Sequence, residues 1–105
     1  MSLDLYINCR CCNSSLFDRN ITHNVSPMWK LAGVWEALYE SDGIRCGDYL
    51  AVLEKGLDDM RLRPGEYRKL NPSNGWGSYE SALGFLESVV EAVKKNPDMV
   101  FGVSA

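Results

Sequence analysis

Apolar and polar positions alternate at the start of the chain. In Asp4 to Cys9, "DLYINC", Leu5 and Ile7 fall on one face and Tyr6 and Asn8 on the other, the two-residue period of a strand. "RCCNSS" follows, polar and turn-like at Asn13-Ser14-Ser15. "LFDRNITHNV" then supplies Leu16, Phe17, Ile21, Thr22 and Val25, residue types that suit a pleated surface. The pattern predicts an N-terminal β-hairpin or meander.

The period then changes. Ser26-Pro27 is a helix-start signal, because a serine oxygen can accept from orphan N–H groups and a proline at the first helical position has no N–H to waste. Met28, Leu31, Ala32, Trp35, Leu38 and Tyr39 recur at three- and four-residue steps, predicting a helix to about Glu40 that Ser41-Asp42-Gly43 closes. A second helix is predicted from Gly47-Asp48 to about Met60, with Tyr49, Leu50, Leu53, Leu57 and Met60 as its stripe. Gly56 inside it costs about 1 kcal/mol against alanine, so it marks either a close neighbour or a weak point. "RLRPGEYRKLNPSNG" reads as a connector with room for one helical turn between Glu66 and Leu70.

The third helix has the most regular pattern. From Ser78 to Lys95, Tyr79, Ala82, Leu83, Leu86, Val89, Val90 and Val93 keep the helical period, with Glu80 early and Lys94 and Lys95 late to complement the dipole. Asn96-Pro97 ends it, and "MVFGV" predicts a short strand able to pair with the hairpin. The sum is one α+β domain over residues 1–105: a small antiparallel or mixed sheet, made of the N-terminal hairpin and the C-terminal strand, with three helices packed on one face.

Composition narrows the function classes. At 105 residues with 46% hydrophobic positions the chain can bury one core, and no apolar run approaches the roughly 18 residues that cross a bilayer. The formal net charge is −3 and no basic stripe is present, which argues against a nucleic-acid partner. "MSLDLYINCR" lacks the basic and long apolar regions of a secretory signal, so a cytoplasmic location is expected, and Met1-Ser2-Leu3 is assigned no role.

Chemistry-bearing residues are few. Cys9, Cys11, Cys12 and Cys46 with the single His23 raise a metal site, with Cys9, Cys11, His23 and Cys46 as the ligand set. The "CRCC" spacing is not a zinc knuckle, because an extended segment turns Cys9 and Cys11 one way and Cys12 the other. Buried thiols and a locally bonded histidine are the expected roles, and no metal or other cofactor is expected. Any Ser-His or Cys-His mechanism would need His23, yet no nucleophile motif accompanies it, and no Gly-rich phosphate loop is present. The expectation is a protein without catalytic activity.

"NPSNGWGSYE" is the segment that invites a functional role. Asn74-Gly75 and Gly77 allow two sharp bends, and Ser78 can cap the third helix, so the turn fixes the Trp76 indole. The first expectation is that Trp76 folds down as a plug near Trp29 or Trp35. The other is that Trp76, Asn74 and Tyr79 form an exposed aromatic edge with polar flanks, the composition of an interaction hot spot.

Through "ITHNVSPMW" and "NPSNGWGSYESALGFLESVVEAVKKNPD", about Ile21 to Asp98, the chain resembles small bacteriophage, prophage and bacterial proteins without an assigned activity. They share a T-x-N strand end, here Thr22 and Asn24, and an N-P-x-N-G-W-G-x-Y-E segment, here Asn71, Pro72, Asn74, Gly75, Trp76, Gly77, Tyr79 and Glu80. The cysteine-rich start departs from that pattern. The resemblance implies an accessory or inhibitor protein of a phage or mobile element. The expected binding residues are Thr22, Asn24, Asn74, Trp76, Tyr79 and Glu80, and the expected partner is a protein. The rival expectation is a small ligand- or metal-binding protein using His23 with a cysteine, Asn24 or Glu80. Homodimerisation is a third, since three tryptophans and open sheet edges leave apolar surface to cover.

Overall fold

The alternation at the N-terminus is realised as a central strand. The computed structural model describes residues 2–10 and 15–105. In it β1 (Ser2–Asn8) buries Leu3, Leu5 and Ile7 completely, while the intervening side chains stay half-buried on the opposite face. β2 (Ser15–Thr22) and β3 (Val100–Ser104) flank it, both antiparallel, in the order β2-β1-β3. The hairpin and the C-terminal strand are therefore both present. The predicted turn falls mainly on residues 11–14, outside the described residues. The outer edge of β3 is occupied by the 42–46 segment: the Gly43 N–H donates to Phe101 O (2.8 Å), the Phe101 N–H to Ile44 O (2.9 Å) and the Cys46 N–H to Met99 O (2.8 Å).

Helices cover the buried face of the sheet. They are α1 (Ser26–Ala32), α2 (Trp35–Tyr39), α3 (Leu50–Leu62), α4 (Pro64–Arg68) and α5 (Tyr79–Lys95). The helix expected from Ser26 to Glu40 is thus two helices. Gly33 adopts φ 77°, which lets the Gly33 N–H turn back to Lys30 O (3.3 Å) and the Val34 N–H to Trp29 O (2.9 Å), a left-handed glycine termination. The apolar steps run straight through this break and hide it. Its consequence is a changed face: Trp29, Val34 and Ala37 enter the core, while Leu31 is left exposed.

Ser26 does not cap α1 either. Its hydroxyl donates to the His23 carbonyl at 2.6 Å, and the capping role passes upstream to Thr22, whose Oγ1 accepts from the Asn24 N–H (3.3 Å) at a 3-10 turn over His23–Val25.

The role of Gly56 is close packing. A Cβ there would lie 2.3 Å from Val34 Cγ1 and 3.0 Å from Ala32 O, so α3 crosses the α1–α2 junction nearly backbone to backbone. α5 starts as its sequence predicts, with Ser78 Oγ accepting from the Ser81 N–H at 3.1 Å. It buries Ala82, Phe85, Leu86, Val89, Val90 and Val93, and the Phe85 ring meets Trp29 at 5.9 Å between centroids. Among the described residues no helix is long and apolar enough to cross a membrane.

Candidate functional site

The β1–β2 ladder brings the first pieces of the site together. Ser2 and Thr22 are directly opposed across the ladder, so their side chains share a face, and it is the face opposite the buried Leu3 and Ile21. β2 ends at Thr22, and the 3-10 turn that Thr22 caps carries His23 and Asn24 next to it.

The loop before α5 supplies the rest, and its conformation is fixed by local bonds. Asn74 Oδ1 accepts from the Trp76 backbone N–H (3.0 Å) and Asn71 Oδ1 from the Tyr79 N–H (2.8 Å). Gly75 and Gly77 take φ values of 78° and 96°, conformations that side chains disfavour. At Gly77 a Cβ would lie 2.7 Å from Thr22 Cγ2 and 2.9 Å from Val25 Cγ1. The loop backbone therefore presses directly onto the end of β2, and this contact sets Trp76 beside Thr22.

Ser2, Thr22, His23, Asn24 and Trp76 line an open cleft of about 690 Å3. Trp76 is 70% exposed, the only tryptophan left in that state, since Trp29 is buried and Trp35 half-buried. The expected plug is not formed. Tyr79 takes the inward position instead, buried with its hydroxyl donating to Met60 O (2.7 Å), its ring 6.2 Å from Tyr67 and the Arg68 guanidinium 5.1 Å from its centroid. Tyr79 is buried at the first position of α5, while the loop with its two glycine bends leaves the indole exposed. Among the described residues the lining holds no Asp, Glu, Lys or Arg, so the cleft pairs one aromatic wall with polar groups.

His23 is held from behind. Its Nδ1 lies 2.8 Å from the Tyr39 hydroxyl, which is in turn 3.2 Å from Ser26 Oγ. Tyr39 stacks on Trp35 with centroids 5.1 Å apart and planes 10° apart, and Lys30 Nζ lies 5.9 Å from the Trp35 ring centre. Burial pushes the Tyr39 hydroxyl above the ordinary phenol value, so it keeps its proton at neutral pH.

Of the six residues expected to bind, Thr22, Asn24 and Trp76 converge on the cleft. Asn74 is exposed behind it and shapes the turn. Tyr79 is a core residue, and Glu80 points to Arg68, with an ion pair at 3.2 Å, so neither lines the cleft. Ser2, given no role from sequence, does line it. The cross-strand pairing that brings it there needs the ladder register, which the sequence does not display.

The cysteine and histidine set does not assemble among the described residues. Cys46 is completely buried in a 3-10 turn (Cys46–Tyr49), where burial pushes its thiol up to about 11 and keeps it protonated. Cys9 is half-buried next to the end of β1, Cys11 and Cys12 lie outside the described residues, and His23 is engaged with Tyr39. No group of three or more His, Cys, Asp or Glu able to hold a metal occurs among the described residues. Elsewhere, Asp59 accepts from both the Arg63 guanidinium (2.6 and 3.0 Å) and the Tyr67 hydroxyl (2.5 Å), bonds that hold its carboxyl below the ordinary aspartate value. No family model, curated protein or solved structure matches the chain.

Proposed function

We propose that the chain is a cytoplasmic recognition protein without catalytic activity, of the accessory or inhibitor kind that phages and mobile elements encode, and that it captures a protein partner at the Trp76 cleft. One observation carries this reading. An indole 70% exposed stands on a loop whose backbone is tied by Asn74, Asn71 and the Gly77 contact, next to the polar corner of Thr22, His23 and Asn24. Exposing a tryptophan leaves a large apolar surface in water, and rigid aromatic anchors flanked by polar groups are what protein interfaces select. A pre-set anchor also reduces the ordering cost of association. Pull-down from host lysate with the wild-type protein and Trp76→Ala tests it. The expected result is a discrete partner retained by the wild type and lost by the variant with its fold unchanged. Equal recovery by both would contradict the reading.

A small uncharged ligand is the second reading, favoured by His23 and Asn24 facing the same cleft. It predicts that the intact protein co-purifies with, or is thermally stabilised by, a low-molecular-weight fraction of the extract, a result the protein-partner reading does not produce.

A further inference from the structure

The contacts behind His23 decide which chemistry its imidazole offers to the cleft. Four groups meet there: His23 Nδ1, the Tyr39 hydroxyl, Ser26 Oγ and the His23 carbonyl. Their protons can be counted. A carbonyl has none, so at 2.6 Å the single Ser26 proton is committed to the His23 oxygen. Ser26 Oγ then has only lone pairs left for the Tyr39 oxygen 3.2 Å away, and that contact is a hydrogen bond only if Tyr39 donates. With its one proton turned to Ser26, Tyr39 presents a lone pair to Nδ1 at 2.8 Å, so Nδ1 carries the proton. In this direction every donor has an acceptor, from Nδ1–H to Tyr39 to Ser26 and back to the His23 carbonyl. In the opposite direction Tyr39 donates to Nδ1 and the Ser26 contact carries no hydrogen bond.

We infer that Ser26 and Tyr39 lock His23 as the Nδ1–H tautomer, leaving a lone pair on Nε2 for the cleft, and that the partner segment seated against Trp76 is an uncharged polypeptide stretch that donates an amide N–H or a hydroxyl to it. The second half of this inference rests on the proposed recognition role, whereas the tautomer stands without it. The donor is uncharged because, among the described residues, the lining holds no carboxylate to receive a cation and no Lys or Arg to receive an anion. Tyr39 and Ser26 are positioning residues in this scheme, since neither lines the cleft.

The chain has one histidine, so its ring nitrogens are observed without competing signals. Long-range proton–nitrogen correlation NMR at a pH where the ring is neutral reads the tautomer directly. The expected result is the Nδ1–H pattern in the wild type and a shift to the Nε2–H pattern in Ser26→Ala, where Tyr39 has lost its acceptor and turns its proton to Nδ1. Tyr39→Phe is expected to lose the Nδ1–H preference too. An Nε2–H wild type, or a tautomer that neither substitution moves, would overturn the lock. For the partner chemistry, N-methylacetamide and N,N-dimethylacetamide are matched probes with and without an N–H. The first is expected to shift both His23 Nε2 and the Trp76 indole, the second only the indole. Equal Nε2 shifts from both would overturn the donor assignment while leaving the Trp76→Ala pull-down result standing by itself.

Discussion

At the scale of single residues, burial separates groups that hold the fold from groups available for recognition. Trp76 and Tyr79 sit three positions apart in one motif and have opposite fates: Tyr79 is buried with its hydroxyl on Met60 O, while Trp76 stays exposed. Trp76→Ala is therefore expected to change unfolding free energy by no more than about 0.5 kcal/mol in urea titration. The same substitution is expected to weaken partner binding by roughly 2 kcal/mol or more, about thirtyfold, by isothermal titration once the partner is in hand. Asp59 makes a pH prediction. Its folded pKa is depressed by Arg63 first and Tyr67 second, so it contributes stability above the ordinary aspartate value of about 4 and loses it as pH falls through the lower folded value. Asp59→Asn should flatten the acid limb of the stability profile below about pH 4, as measured by urea midpoints across pH.

Among the elements, agreement with the sequence follows how local the cause is. α5 was legible because its period, its Ser78 cap and its terminal lysines all act within the helix. β1 was legible because alternation is a property of the strand alone. The break at Gly33 was not, since the apolar spacing of Leu31, Ala32 and Trp35 continues through it and only the turn back to Trp29 and Lys30 reveals the termination. Gly56 had two readings from sequence, and tertiary contact decided between them. Gly56→Ala removes about 1 kcal/mol of helix cost yet places a Cβ against the stiff Val34 and the Ala32 carbonyl, an overpacking penalty of about 1–3 kcal/mol. Net destabilisation in chemical denaturation is the expected outcome. Gly77→Ala meets both a positive φ and the Thr22 and Val25 contacts, and is expected to cost roughly 1–3 kcal/mol and to release the loop.

For the molecule as a whole, the candidate site is where two distant stretches meet: the end of β2, and the loop opening α5. The sequence marked Thr22, Asn24 and Trp76 separately. Their convergence depends on the antiparallel register that sets Ser2 opposite Thr22 and on Gly77 approaching the same corner, and neither is local. Among the described residues the cleft lining carries no Asp, Glu, Lys or Arg, so partner affinity should change little between low and high salt, unlike the steep fall of a phosphate-binding surface. Trp76 is exposed yet held by its loop. Backbone and indole nitrogen order parameters for Trp76 and its neighbours measure this most directly. Values near 0.85, as in the helices, are expected for a held indole, whereas values below about 0.6 from Asn74 to Gly77 and at the indole would mean a mobile tether and rule out a pre-set anchor.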